Sequence, residues 1–85
     1  MYKELAIDKE IEVVKTIREL QNYVFTSINS MMDCVEENTK EYSKFLGYMM
    51  GNNYDEIVIM WENMTANILF KRENEHTYKI IFAYL

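Results

Sequence analysis

The sequence predicts an α+β protein in which two N-terminal helices precede a three-stranded antiparallel β-meander. Apolar residues recur at helical spacing through the first half, whereas β-branched and aromatic residues dominate after Asn53. Polar clusters then divide the second half into segments of strand length. A chain of 85 residues is the size of one small domain, so we expect residues 1–85 to fold as a single unit.

The first helix is predicted over about residues 8–36. Seven apolar residues recur there at intervals of three or four: Val13, Ile17, Leu20, Val24, Ile28, Met31 and Val35. This spacing puts them on one face of an amphipathic helix. Asp8 is suited to cap the first turn, because its carboxylate can accept hydrogen bonds from free backbone N–H groups.

The second helix is predicted over about residues 39–50. Its apolar residues again follow helical spacing: Tyr42, Phe45, Leu46 and Met49. Asn38 with Glu41 resembles a capping box, and Gly51 with the two asparagines after it favours a helix end. The apolar stripe also continues without interruption over residues 8–50, so a mostly α protein with one long helix is the alternative. The cap signal favours a break within residues 36–39.

Three strands are predicted over about residues 56–61, 66–72 and 77–85. The polar tetrads that separate them, residues 62–65 and 73–76, are suited to turns. Trp61, Met64 and Ile68 also fit a helical stripe, which leaves the alternative of a helix over residues 56–70. The run of β-branched residues from 57 to 59 favours strand.

Strict alternation gives this sheet two apolar faces. The first face carries Ile57, Ile59, Trp61, Ala66, Ile68, Phe70, Tyr78, Ile80, Phe82 and Tyr84. The second still carries six apolar residues: Val58, Met60, Leu69, Ile81, Ala83 and Leu85. An antiparallel sheet that meets water on one face usually has polar residues there. Two interpretations follow: each helix covers one face, or the second face or an edge of the sheet is an interface.

Composition excludes several classes of protein. Hydrophobic residues make up 49% of the chain, which favours folding over disorder, and the net charge of -5 disfavours binding to phosphate backbones. No phosphate-binding glycine loop can be built from two glycines, and no disulfide from one cysteine. The sequence also lacks a signal-peptide pattern and an apolar run of membrane-spanning length. We therefore expect a cytoplasmic protein without membrane contact or direct nucleic-acid binding.

The candidate chemical groups favour structural interpretations. Cys34 has only acidic charged neighbours in sequence, which would raise its pKa, and His76 lies in a predicted turn without a positioning partner. Glu36, Glu37 and Glu41 lack the spacing of an oxygen-ligand metal site and are expected to be solvated. The sequence therefore predicts no catalytic residue, no cofactor and no metal, and the protein is expected not to be an enzyme.

The distribution of apolar residues predicts a small acidic protein that binds another protein. The candidate partner-binding residues are Trp61, Met60, Leu69, Ile81, Tyr84, Tyr54, Glu36 and Glu37. A narrower hypothesis is an inhibitor that docks on a larger nucleic-acid-handling enzyme or complex, in the manner of small phage-encoded anti-defence proteins. The alternative is a structural or regulatory homo-oligomer held by the first helix or by an edge of the sheet.

Overall fold

The computed structural model describes the backbone of residues 2–51 and 53–85, and within these ranges the side chains from residue 9 onward. Two α-helices come first, α1 (Tyr2–Glu19) and α2 (Ile28–Thr39). Four strands follow: β1 (Phe45–Met50), β2 (Glu56–Trp61), β3 (Met64–Asn74) and β4 (Thr77–Tyr84). The predicted α+β class is confirmed, but the antiparallel sheet has four strands, one more than predicted.

The stripe predicted as one helix over residues 8–36 is divided between α1 and α2. The first helix begins at Tyr2, ahead of the predicted cap at Asp8, and ends at Glu19. A single 3-10 turn follows, and the chain then becomes extended at Tyr23, with φ -91° and ψ 149°. Val24, which the stripe would bury, is 57% exposed. The prediction of one continuous helix is therefore wrong.

A capping box explains why a new helix starts after this interruption. The Ser30 N–H donates to Ser27 Oγ at 3.1 Å, and the Ser27 N–H donates to Ser30 Oγ at 3.2 Å. These bonds satisfy N–H groups that have no partner within the helix. The new helix ends at Thr39, so the break predicted within residues 36–39 marks the end of α2. Asn38, predicted to begin a second helix with Glu41, instead lies inside α2.

Residues 45–50 form a strand, β1, and the predicted helix over residues 39–50 is wrong. The strand pairs antiparallel with β2, and Phe45 lies opposite Trp61 with the two rings edge to face at 6.2 Å. Helical and strand periodicity cannot be distinguished in so short a run when nearly every residue is apolar. Gly51 continues the pairing, since its N–H donates to the Glu56 carbonyl at 2.7 Å. Asn52, part of the predicted helix end, lies outside the described residues.

The three predicted strands correspond to β2, β3 and β4, in the order β1-β2-β3-β4. The second one is longer than predicted, because β3 runs from Met64 to Asn74 and takes in residues that were expected in the turns on either side. The alternatives of a helix over residues 56–70 and of one long helix are wrong. A bulge in β4 changes its alternation, since Phe70 lies opposite Ile80 while the preceding Leu69 lies opposite Phe82. Ala83 is consequently buried, whereas Phe82 and Tyr84 lie on the opposite face from the one that strict alternation predicts.

Both helices pack on the same face of the sheet. Buried residues of the helices form one cluster with those of the strands: Val13, Ile17, Leu20, Met31 and Val35 with Ile57, Ile59, Trp61, Ala66, Ile68, Phe70, Ile80 and Ala83. Burial of this apolar surface is the main term that stabilises the fold. The interpretation in which each helix covers a different face is therefore wrong.

The connection between the helices closes the outer edge of β4. Phe25 exchanges two backbone hydrogen bonds with Tyr78, at 2.9 and 2.8 Å. Two side chains donate to further carbonyls of β4: Gln21 Nε2 to Ile81 at 2.5 Å and Arg18 Nε to Ala83 at 3.0 Å. Unpaired N–H and C=O groups on an edge strand can recruit another strand, and these contacts occupy several of them.

Candidate binding surface

The face of the sheet opposite the core carries apolar side chains that no described helix or strand covers. Val58, Met60 and Leu69 are half-buried within the sheet itself, while Met49 is 55% exposed and Phe82 is 43% exposed. We call the surface formed by these five residues the open face. A contiguous exposed apolar patch is a common mark of a protein-interaction site.

Strand register aligns the open face across the whole sheet. One row crosses all four strands: Met49, Val58, Asn67 and Tyr84. A second row crosses three strands: Glu56, Leu69 and Phe82. Directly opposed residues of an antiparallel pair point to the same face and contact each other. The open face is therefore a surface of fixed geometry, because hydrogen-bonded strands hold its residues in place.

Aromatic and charged groups border the open face along β4. The Phe82 and Tyr84 rings stack with centroids 6.4 Å apart, and the Arg18 guanidinium lies 4.2 Å from the centre of the Phe82 ring. The Tyr84 hydroxyl donates a hydrogen bond to the Glu56 carboxylate. This hydrogen bond, together with desolvation and the carboxylate charge, raises the pKa of Tyr84 above its ordinary value. The hydrogen bond therefore holds the Tyr84 phenol in a fixed position at the border.

Four of the predicted partner-binding residues lie on the open face or beside it. Met60 and Leu69 are part of the open face, and Tyr84 lies at its border. Ile81 is the extra residue of the β4 bulge and is partly exposed at the same edge of the sheet. The sheet thus brings together side chains that lie up to 24 positions apart in the sequence, from Met60 to Tyr84.

The other four predicted residues lie elsewhere. Trp61 is only 2% exposed, and its indole N–H donates to Thr39 Oγ1 at 3.0 Å inside the core. Tyr54 is 81% exposed in the β1–β2 loop, with its backbone in the left-handed region at φ 59°. Glu36 and Glu37 are exposed on α2, on the helical side of the molecule. The structure therefore separates these carboxylates from the apolar surface and removes Trp61 from it.

Three residues of the open face were missing from the predicted set: Met49, Val58 and Phe82. The sequence predicts a helix at Met49, and strict alternation, which takes no account of the bulge, puts Phe82 on the covered face. Val58 lies on the second face as alternation predicts, and its place two positions before the predicted Met60 is the available signal. For Phe82 the sequence offers none, since residues 80–83 are all apolar and either register looks acceptable.

The candidate chemical groups lie apart from one another. Cys34 is half-buried on α2, and burial raises the pKa of its thiol although a hydrogen bond from Asn38 opposes the shift. Burial thus replaces the predicted cause, which was repulsion by neighbouring acids. His76 is exposed in the β3–β4 turn, where its backbone N–H donates to Asn74 Oδ1 at 2.9 Å. Among the described residues, no three His, Cys, Asp or Glu side chains are grouped to hold a metal ion.

A shallow groove lies between α1 and the end of β4, around the edge from the open face. It encloses about 400 Å³ and is lined by Ile11, Val14, Lys15, Arg18, Tyr84 and Leu85. Arg18 and Tyr84 belong both to this groove and to the border of the open face. The apolar surface therefore continues from the sheet toward α1.

Neither described helix is both long and apolar enough to cross a membrane.

Comparison with known proteins finds no relative of this chain. No protein family matches the chain, and neither curated proteins nor solved structures give a match. The class that the fold defines is an α+β protein with two helices on one face of a four-stranded antiparallel meander. Function is accordingly inferred from the surface itself.

Proposed function

We propose that the protein is a small, non-enzymatic binding protein that docks on a larger protein through the open face. One observation carries this proposal: both helices pack on the same face of the sheet. The second apolar face is therefore left uncovered by the described elements. Burial of that face by a partner would add the hydrophobic stabilisation that the chain does not obtain by itself.

The chemistry of the open face favours a protein as the partner. Its five residues are two methionines, a valine, a leucine and a phenylalanine, and methionine adapts its shape to irregular apolar surfaces. Nucleic acids would instead require a groove rich in Lys and Arg, whereas the chain carries a net charge of -5. Stacked Phe82 and Tyr84 beside Arg18 supply the residue types that anchor protein interfaces.

The narrower proposal is inhibition of a nucleic-acid-handling enzyme or complex, of the phage anti-defence type. Such enzymes present basic surfaces, and a net charge of -5 favours encounter with them. Glu36 and Glu37 lie on α2, on the other side of the sheet from the open face, so they add to the long-range attraction without touching a partner docked on that face. An inhibitor of this kind acts by occupying a surface and needs no catalytic group of its own.

The test compares a variant of the open face with a matched control. Met60→Lys/Leu69→Lys puts two charges on the open face, and Tyr23→Lys/Val24→Lys puts two charges at exposed apolar positions outside it. Affinity capture from the native host, followed by mass spectrometry, should recover one partner protein with the wild type and with the control. The open-face variant should lose that partner, because lysine ammonium groups would have to be desolvated at the interface.

Inhibition is then measured with the purified partner. Wild type and control should reduce its activity in proportion to the complex formed, and the open-face variant should not. Circular dichroism and urea unfolding establish that each variant is folded, and single Met60→Lys provides a milder change if the double variant unfolds. Capture of the same partner with equal strength by a folded open-face variant would refute the proposal.

A further inference from the structure

We propose that two copies of this chain associate through their β1 strands, in an antiparallel two-fold arrangement centred on Met49. The four-stranded sheets would then join into one sheet of twice the width. This inference goes beyond the proposed function, because it uses the backbone of an edge strand; Met49 belongs to both surfaces, and the other four residues of the open face stay available to a partner. It depends on four observations about β1 and its surroundings.

The two edges of the sheet differ in how they are covered. Contacts from Arg18, Gln21 and Phe25 occupy the outer side of β4. Among the described residues, no hydrogen bond reaches the backbone of Tyr48 or Met50 from outside the sheet. An uncovered edge strand is a template for pairing with another strand. β1 is therefore the edge at which the sheet can grow.

The hydrogen-bond pattern shows which backbone groups are available. The Gly51 N–H donates to the Glu56 carbonyl, so Gly51 directs its backbone groups toward β2. Alternate residues of an antiparallel ladder do the same, which assigns Met49 to the β2 side and leaves Tyr48 and Met50 directed outward. In the proposed arrangement, Tyr48 of each copy exchanges two hydrogen bonds with Met50 of the other, giving four in total.

The side chains of β1 suit contact with a second copy. The strand Phe45–Met50 contains no charged residue, although edge strands are commonly protected by lysine or other charges. Leu46, Met49 and Met50 are exposed apolar residues there. The bulge near Gly47 limits regular pairing to the following residues, so the paired segment is short and association is expected in the micromolar to millimolar range.

Charge complementarity favours a second copy over an unrelated strand. Lys44 precedes β1 and Asp55 precedes β2, at opposite ends of the β1–β2 hairpin. Antiparallel two-fold pairing brings Lys44 of each copy toward Asp55 of the other. Two chains that each carry a net charge of -5 repel one another over most of their surfaces. At β1 this repulsion is smallest, because the strand itself is uncharged and is flanked by charges of opposite sign.

Sedimentation velocity with the full chain provides the first test. Wild type should shift from monomer toward dimer between micromolar and millimolar protein. Met49→Lys opposes two ammonium groups at the symmetry centre and should raise the dissociation constant at least about tenfold, which corresponds to ~1.4 kcal/mol. Val24→Lys carries the same charge at an exposed position outside β1 and should behave as wild type.

Cysteine cross-linking tests the register. At the centre of the arrangement, the Met49 residues of the two copies lie opposite each other as a non-hydrogen-bonded pair. Their Cα atoms are then ~4.5 Å apart, which is within disulfide range. In a Cys34→Ser background, Met49→Cys should therefore form a covalent dimer under mild oxidation. Leu46→Cys is similarly exposed but three positions from the centre, and it should stay largely monomeric.

Each outcome decides the inference. A wild type that remains monomeric at millimolar concentration would overturn β1 pairing, and capture of a partner through the open face would be unaffected. Equal cross-linking at positions 46 and 49 would overturn the Met49-centred register. Conversely, a dimer that fails to bind any partner would refute the proposed function and leave this inference intact.

Discussion

At the scale of single residues, the contact between Thr39 and Trp61 shows how a polar group can be fixed in the core. Thr39 is fully buried at the end of α2, where its hydroxyl donates to the Val35 carbonyl at 2.7 Å and accepts from the Trp61 indole at 3.0 Å. Both polar groups are thus satisfied, and α2 is joined to β2. Sequence periodicity identifies Trp61 as apolar but contains no signal for its buried partner.

Thr39→Val should destabilise the protein by about 1–3 kcal/mol, because it leaves the Trp61 N–H buried without an acceptor. Urea unfolding followed by circular dichroism measures the change. Thr65→Val, at an exposed position of β3, should change stability by less than about 0.5 kcal/mol. In a Trp61→Phe background the effect of Thr39→Val should shrink, and equal losses in both backgrounds would contradict a role for this hydrogen bond.

Residue identity predicted part of the open face and misassigned the rest. Met60 and Leu69 lie where alternation from a correctly predicted strand puts them. Tryptophan is enriched at interfaces, which predicts a binding role for Trp61, but its large apolar area also suits the core, where it is buried. Alternation puts Phe82 on the wrong face, because the bulge at Ile81 changes the face of every later residue in β4.

At the scale of elements, prediction succeeded where turns and strand propensity agreed. β2 has the predicted bounds, and polar residues separate it from β3 and β3 from β4. It failed for β1, which reads equally well as helix and becomes a strand by pairing with β2. It also failed for the helices, since an apolar stripe continues past residue 19 although the helix does not. The capping box at Ser27 then determines where the next helix begins.

The capping box at Ser27 should account for much of the local stability of α2. Ser27→Ala removes the side-chain oxygen that accepts from the Ser30 N–H, and should destabilise the protein by about 1 kcal/mol. Ser27→Asp retains an acceptor and should preserve most of that stability. Thr26→Ala, one residue earlier and exposed, is the matched control. Equal midpoints of urea unfolding for Ser27→Ala and Thr26→Ala would show that the cap contributes little.

At the scale of the whole molecule, the chain path determines which surfaces are available. Sequence patterns identified two apolar faces on the sheet, but they could not determine that both helices would cover the same one. That outcome depends on the short connection between α1 and α2, which runs along the outer side of β4. The same connection closes one edge of the sheet, and among the described residues the open face and the β1 edge remain uncovered.

The closure of β4 leads to a prediction about the size of the assembly. Arg18→Ala/Gln21→Ala removes the side chains that donate to the Ala83 and Ile81 carbonyls, and so exposes the end of β4 to other strands. With β1 paired as proposed, a second free edge should produce species larger than a dimer, detected by light scattering and sedimentation. Lys15→Ala/Asn22→Ala removes one cation and one amide from exposed positions of the same segment, and should leave the mass distribution unchanged. Identical distributions for the two folded double variants would mean that Phe25 alone keeps the β4 edge closed, since its two backbone bonds to Tyr78 survive both changes.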